Sequence, residues 1–231
     1  MIRAVFLDID DTLLSFSGYV KQAMKSGFAK FHLKPYSDDM FPVFERINDG
    51  LWRSLERGEI TLAQLRAVRW SRIFKALGIS FDGPAFEQYF RDQLFSSAIP
   101  EPGAMDLLSY LAGRYDLYAA SNGPYLQQRN RLKTGGMDGY FDDIFISERM
   151  GVQKPQPGFF DACFASIRRD RIPDLEPAEC MLIGDSLTSD IAGGKQYGMK
   201  TCLYQPRKKD FQNGIEPDYT VRKLEEVKGI L

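Results

Sequence analysis

Ile2-Arg3-Ala4-Val5-Phe6-Leu7-Asp8-Ile9-Asp10-Asp11-Thr12 is a short apolar run that breaks into acids. The consecutive hydrophobic residues Ala4 to Leu7 do not alternate with polar ones, which suits a strand buried on both faces, as in parallel sheets covered by helices. The acids then mark the carboxyl end of that strand, where open parallel sheets bind their ligands. The same grammar returns downstream. Leu117-Tyr118-Ala119-Ala120 runs into Ser121-Asn122-Gly123, Ile144-Phe145-Ile146 into Ser147-Glu148, and Met181-Leu182-Ile183 into Gly184-Asp185, while Tyr197-Gly198 leads into Thr201-Cys202-Leu203-Tyr204. Helical patterns separate these runs at Ala104 to Leu111, Tyr125 to Lys133, Gly158 to Arg168 and Asp190 to Tyr197. The alternation predicts an α/β fold, a doubly wound parallel sheet whose polar strand ends share one rim.

One interval breaks the pattern. From Phe16 to Ser97 the sequence reads as helices only, at Val20 to Phe31, Asp38 to Arg57, Thr61 to Leu77 and Pro84 to Phe95. Thr61-Leu62-Ala63-Gln64 has the spacing of a capping box, and Gly78 after Leu77 is a natural helix stop. Pro100-Glu101-Pro102-Gly103 marks the return to the alternating pattern. The expected division is therefore a core of residues 1–15 and 98–231 with an all-helical cap domain, residues 16–97, inserted as a lid over the rim.

Thirty basic residues against 31 acidic ones leave a formal charge of -1, so nothing draws the chain as a whole to nucleic acid or an anionic membrane, and an anion must be met by a local site. The apolar run at the amino terminus is too brief for a signal peptide or a spanning helix. Cys163, Cys180 and Cys202 are odd in number, widely spaced and lack a Cys-x-x-Cys pair, which argues against a disulfide framework or a zinc site and suits the reduced cytoplasm. Cys163 with Arg169 fits the Cys-x5-Arg loop of cysteine phosphatases, but the residues between lack the glycines of a phosphate cradle, so Cys163 is assigned to the core. His32 is the only histidine, and no nucleophile or metal cluster lies near it in sequence, so it is read as an ordinary helix residue.

Asp8 and Asp10 are two apart at the end of an extended segment, so both side chains can enter one crevice. Two carboxylates there call for a cation. Magnesium takes oxygen ligands and few protein carboxylates, and Asp185 is the natural further oxygen. On strand alternation Asp11 points away from the crevice and Thr12 returns to it as a phosphate-side support. Ser121 can donate a hydroxyl to a phosphoryl oxygen, with Asn122 and Gly123 offering amide donors beside it. Lys154 supplies positive charge, its backbone held by Pro155 at a helix start. Asp190 is read as a helix cap or a partner that orients a metal water or Lys154.

Taken in order, the apolar run with Asp-x-Asp-x-Thr, the run with Ser-Asn-Gly, Lys154-Pro155 and Gly184-Asp185-x4-Asp190 resemble the four motifs of the haloacid dehalogenase superfamily. The resemblance implies a Rossmann-like core, with Asp8 as the nucleophile that forms an aspartyl phosphate. It also implies that magnesium is held by Asp8, the backbone carbonyl of Asp10 and Asp185. Asp10 would protonate the departing oxygen and then activate water; beside Asp8 it can stay protonated longer, so two like carboxylates take two roles.

The segment Asn48 to Thr61 resembles a branch of the superfamily that includes pyrimidine nucleoside 5'-monophosphatases. A small phosphomonoester is the expected substrate, a nucleoside 5'-monophosphate first, with Phe16, Tyr19 and Trp52 as candidate stacking faces for a base. A phosphosugar phosphatase or mutase shares all four motifs. A 2-haloacid dehalogenase would need neither the second acid at Asp10 nor magnesium, and a non-catalytic phosphate-binding module would need none of the groups that turn over.

Overall fold

The structure, a computed structural model, describes residues 1–206 and 214–231. The opening run forms β1 (Ala4–Leu7), buried along its whole length. Helices α1 (Phe16–Lys30), α2 (Met40–Glu56), α3 (Leu62–Leu77) and α4 (Gly83–Ser96) follow. The chain then runs through α5 (Ala104–Leu111), β2 (Asp116–Ser121), α6 (Tyr125–Thr134), β3 (Asp143–Ile146), the single turn α7 (Ser147–Met150), α8 (Pro157–Asp170) and β4 (Cys180–Gly184). It ends with α9 (Ala192–Tyr197), β5 (Lys200–Tyr204), β6 (Tyr219–Val221) and a 3-10 stretch, Leu224–Gly229. Two compact units result, one of Met1–Ser15 with Ala98–Leu231 and one of Phe16–Ser97. Among the described residues no helix is long and apolar enough to cross a membrane.

The first unit is a six-stranded parallel sheet in the order β3-β2-β1-β4-β5-β6. Side chains on a strand alternate between faces, and β1 serves two cores accordingly. Val5 and Leu7 pack with Leu107, Leu108 and Leu111 of α5, while Ala4 and Phe6 pack with Phe159, Phe160 and Phe164 of α8. From β1 the chain moves outward one way through β2 and β3, then the other way through β4, β5 and β6. The strand order thus reverses between β1 and β4, the place where an open α/β sheet leaves a crevice beyond its strand ends. Asp8 and Asp185 follow those two strands directly.

The second unit is held by aromatic packing. Trp70 and Phe86 lie 4.3 Å apart, ring centre to ring centre, with Phe28, Phe44, Phe74 and Phe90 buried around them. Its helix ends follow the sequence signals. Thr61 and Gln64 form a reciprocal capping box, Gly78 closes α3 in the left-handed conformation, and the Asp82 carboxylate accepts from the Ala85 amide at the start of α4.

Several local expectations change. His32 is not a helix residue: α1 ends at Lys30 and His32 turns the chain with a positive φ of 53°. Asp190 does not open a helix, because it sits inside a π-helical turn, Leu187–Ile191, and α9 starts at Ala192. Strand alternation stops at Leu7, so it cannot orient Asp11, which takes a positive φ of 54° in the turn that follows. Pro155 precedes α8 instead of starting it. β6 carried no apolar run, since Tyr219 and Thr220 are exposed and only Val221 is buried.

Candidate active site

Beyond the ends of β1 and β4, the Lys154 ammonium lies in a cage of oxygens. It donates to Asp8 Oδ1 at 2.7 Å, to Asp190 Oδ1 at 2.6 Å and to the Ala120 carbonyl at 2.6 Å, and the residue is 1% exposed. Its backbone is clamped as well. Asn122 Nδ2 donates to the Lys154 carbonyl at 2.8 Å and Asn122 Oδ1 accepts from the Lys154 amide at 2.9 Å. The Asn122 side chain therefore holds Lys154, and it is this pairing, not Pro155 at a helix start, that fixes the lysine backbone.

Asp190 is fixed on both oxygens, since Oδ2 accepts from the Ser186 amide at 3.0 Å. Gly184 makes room for it, because a Cβ there would overlap the Asp190 carboxylate. Asp190 itself lies within the π-helical turn Leu187–Ile191.

Burial acts on Asp8 and Lys154 in different ways. It pushes the Asp8 carboxyl up to about 7, against the pull of Lys154 and with added repulsion from Asp190 and Asp10. Burial alone disfavours the Lys154 ammonium, but the charges of Asp190 and Asp8 outweigh it and raise the lysine above its ordinary value.

Carboxylate oxygens of Asp8, Asp185 and Asp190 lie within 4.8 Å of one another. The donors are hard oxygens, with no thiolate or imidazole among them. Such a set fits a hard divalent cation of the magnesium class. Within the set, Asp190 is held by Lys154 and Ser186, and Asp8 by Lys154.

Asp10 points elsewhere. Its carboxylate accepts from Arg131 Nη1 at 2.5 Å and from Gln128 Nε2 at 2.7 Å, so any metal contact it makes is left to its backbone carbonyl. Gln128 Nε2 also donates to Ser121 Oγ at 2.8 Å, and Gln128 Oε1 accepts from Arg131 Nη1 at 2.9 Å. Ser121 Oγ further accepts from the Gly123 amide at 3.0 Å. Thr12 is wholly buried, and its hydroxyl has no hydrogen-bond partner among the described residues.

Gln128 and Arg131 were missed in the sequence. The available signal was their spacing: three apart, they share one face of α6 immediately after the Ser-Asn-Gly loop. Both residue types usually face solvent, and nothing local announces that these two are fully buried.

The candidate aromatics of the helical unit separate. Tyr19 is 3% exposed, its ring is 5.0 Å from that of Phe90 and its hydroxyl donates to the Phe90 carbonyl, so it builds the helical unit's own core and is not a free stacking face. Phe16 is half-buried beside Tyr19, Phe44 and Phe90. Trp52 is half-buried against a cluster of Leu51, Leu55 and Leu65. Cys163 lies in the sheet core with its thiol pushed well above the ordinary range by burial.

A family model described as haloacid dehalogenase-like hydrolase matches residues 2–198. HAD-hydrolase YfnB of Bacillus subtilis (strain 168) is 38% identical over 229 residues, covering 99% of this chain and 95% of its own. A crystal structure of YfnB bound to magnesium superposes with a TM-score of 0.88 at 37% identity, over 100% of this chain and 98% of that one. Pyrimidine 5'-nucleotidase PynA of Streptococcus pneumoniae is 34% identical over 95% of this chain and 90% of its own. Pyrimidine 5'-nucleotidase YjjG of Escherichia coli is 28% identical over 98% of this chain and 96% of its own.

Proposed function

The chain belongs to the haloacid dehalogenase-like hydrolases, and on that premise we propose that it is a cytoplasmic, magnesium-dependent phosphatase of small phosphomonoesters, nucleoside 5'-monophosphates foremost. The observation that carries this reading is the contrast between two carboxylates two residues apart. Asp8 is buried on Lys154 beside Asp185, whereas Asp10 turns away to Gln128 and Arg131. The contrast supports reading the first as the nucleophile and the second as the proton carrier.

Asp8 and Asp185, with the Asp10 carbonyl, would hold magnesium. When bound, magnesium supplies positive charge that keeps Asp8 ionised and offsets the charge of the phosphate. Lys154 adds its own charge at Asp8 Oδ1 and fixes the orientation of that carboxylate. An Asp8 oxygen attacks phosphorus as the ester P–O bond breaks, and protonated Asp10 gives its proton to the leaving oxygen. Water, losing a proton to Asp10, then attacks the aspartyl phosphate and breaks the Asp8–phosphate bond, which restores both acids. Ser121 and Thr12 offer hydroxyls to phosphoryl oxygens; the unpartnered Thr12 hydroxyl supports that assignment. The helical unit 16–97 is read as the cap that selects the substrate.

The nucleotide preference rests on the pyrimidine 5'-nucleotidases PynA and YjjG, which resemble the chain along nearly its full length. Purified protein with magnesium should release inorganic phosphate from dUMP or dTMP faster than from sugar phosphates, and Asp8→Asn should abolish release from all of them. Sugar phosphates isomerised without phosphate release would make the enzyme a mutase. No turnover across a broad phosphomonoester panel would remove the proposal.

A further inference from the structure

The proposed reaction gives Asp10 its work, but β1 has ended before Asp10 and strand geometry does not aim its side chain. What aims it lies 118 and 121 residues away in sequence, on α6. Arg131 Nη1 donates to one Asp10 oxygen and Gln128 Nε2 to the other, so both ends of the carboxylate are held. The two holders brace each other through Arg131 Nη1 and Gln128 Oε1, and Gln128 is tied to Ser121. Both donors are wholly buried, while the Asp10 side chain keeps 33% of its surface exposed at the crevice. The loop is cut to fit: a Cβ at Gly123 would stand 2.5 to 2.9 Å from the Gln128 side chain, so glycine there lets Gln128 reach both Asp10 and Ser121.

We infer that Arg131 and Gln128 are positioning residues for Asp10, locking the second carboxylate to the serine that faces the phosphate so that acid and phosphate site move as one piece. The inference rests on the phosphatase reading and deepens it, because it assigns the orientation of the proton carrier to α6. A group misplaced by about 1 Å can cost roughly 100-fold in rate. The loss should fall on substrates that need a proton on the leaving oxygen and spare those that do not.

The experiment compares kcat/KM for an alkyl ester, dUMP, with that for 4-nitrophenyl phosphate, whose phenolate leaves without protonation. Wild type, Arg131→Met, Arg131→Lys, Gln128→Met and Asp10→Asn are measured with saturating magnesium. Arg131→Met should lose about 100-fold on dUMP and less than about 5-fold on 4-nitrophenyl phosphate, following Asp10→Asn. Arg131→Lys should recover about tenfold of the dUMP loss. Gln128→Met removes no buried charge and tests the same prediction if Arg131→Met does not fold; it should show a smaller loss of the same selectivity. Equal losses on both esters, or none on dUMP, overturn the inference while leaving the phosphatase reading intact. A wild-type protein inert toward both esters overturns that reading and takes the inference with it.

Discussion

Replacing Lys154 by methionine keeps an unbranched side chain one atom shorter and removes the ammonium that Asp8 and Asp190 share. Both carboxylates sit within 2.7 Å of that nitrogen, and Lys154 and Asp190 are each 1% exposed. Stranding a buried ion by deleting its partner costs about 3 to 5 kcal/mol. For a chain of this size each kcal/mol moves the melting temperature by about 2 to 4 °C, so a fall of roughly 6 to 20 °C is expected in the metal-free protein. The loss should grow with pH. Without the ammonium the folded carboxyls bind protons more tightly than the unfolded ones, so stability is retained at low pH and lost as pH rises. The decisive test is a sign. Adding Asp190→Asn to Lys154→Met removes one of the stranded charges, so the double variant should be more stable than the single one, a coupling of about 0.5 to 3 kcal/mol. Melting followed by circular dichroism in EDTA at pH 6 and pH 8 measures wild type, Lys154→Met, Asp190→Asn and the double variant. A loss below about 1 kcal/mol, or a double variant weaker than the single, would refute the reasoning.

On the proposed mechanism magnesium would bind Asp8 in its ionised form, and because burial raises the Asp8 carboxyl to about 7, apparent magnesium affinity should fall up to about tenfold per unit below pH 7 and level off above it. Calorimetry from pH 5.5 to 8.5 checks this, and a flat profile would contradict it. The same raised value makes Asp8 favour folding below its folded value, so this contribution is present near pH 4 and lost as pH climbs through about 7. Gly184→Ala should force Asp190 off Lys154, lowering kcat/KM at least tenfold and stability by about 1 to 3 kcal/mol; more than half of wild-type activity would speak against the overlap. The three cysteines are buried, so iodoacetamide should label none until the protein is denatured, and Cys163→Ser should keep its turnover. Labelling of the native protein, or loss of activity in that variant, would revive a role for the Cys163 thiol.

The sheet was legible wherever an apolar run is long enough to be buried on both faces. β1, β2, β3, β4 and β5 all follow from such runs, and α5 occupies the predicted span Ala104–Leu111. α3 begins and ends where the capping box and Gly78 say it should, because both signals are local backbone chemistry. β6 was not legible, since an edge strand of three residues with two exposed side chains exists only because β5 offers it an unpaired edge. His32 shows the same limit at a helix end, where tertiary packing sets the last turn.

The acids of the site were legible for a related reason. Asp8, Asp185 and Asp190 stand directly after buried strands or close to them, so topology alone carries them to one rim. The sequence by itself determined the order of the motifs, and with it the parallel sheet and the carboxylates at its switch point. Only the tertiary structure decided which partner each carboxylate has. A buried Arg131 or Gln128 has the same letters and spacing as a solvated one, and what makes them part of the site is α6 bringing them against Asp10 from more than a hundred residues away. Hydrogen bonding across such a distance depends on packing geometry, which local sequence does not encode.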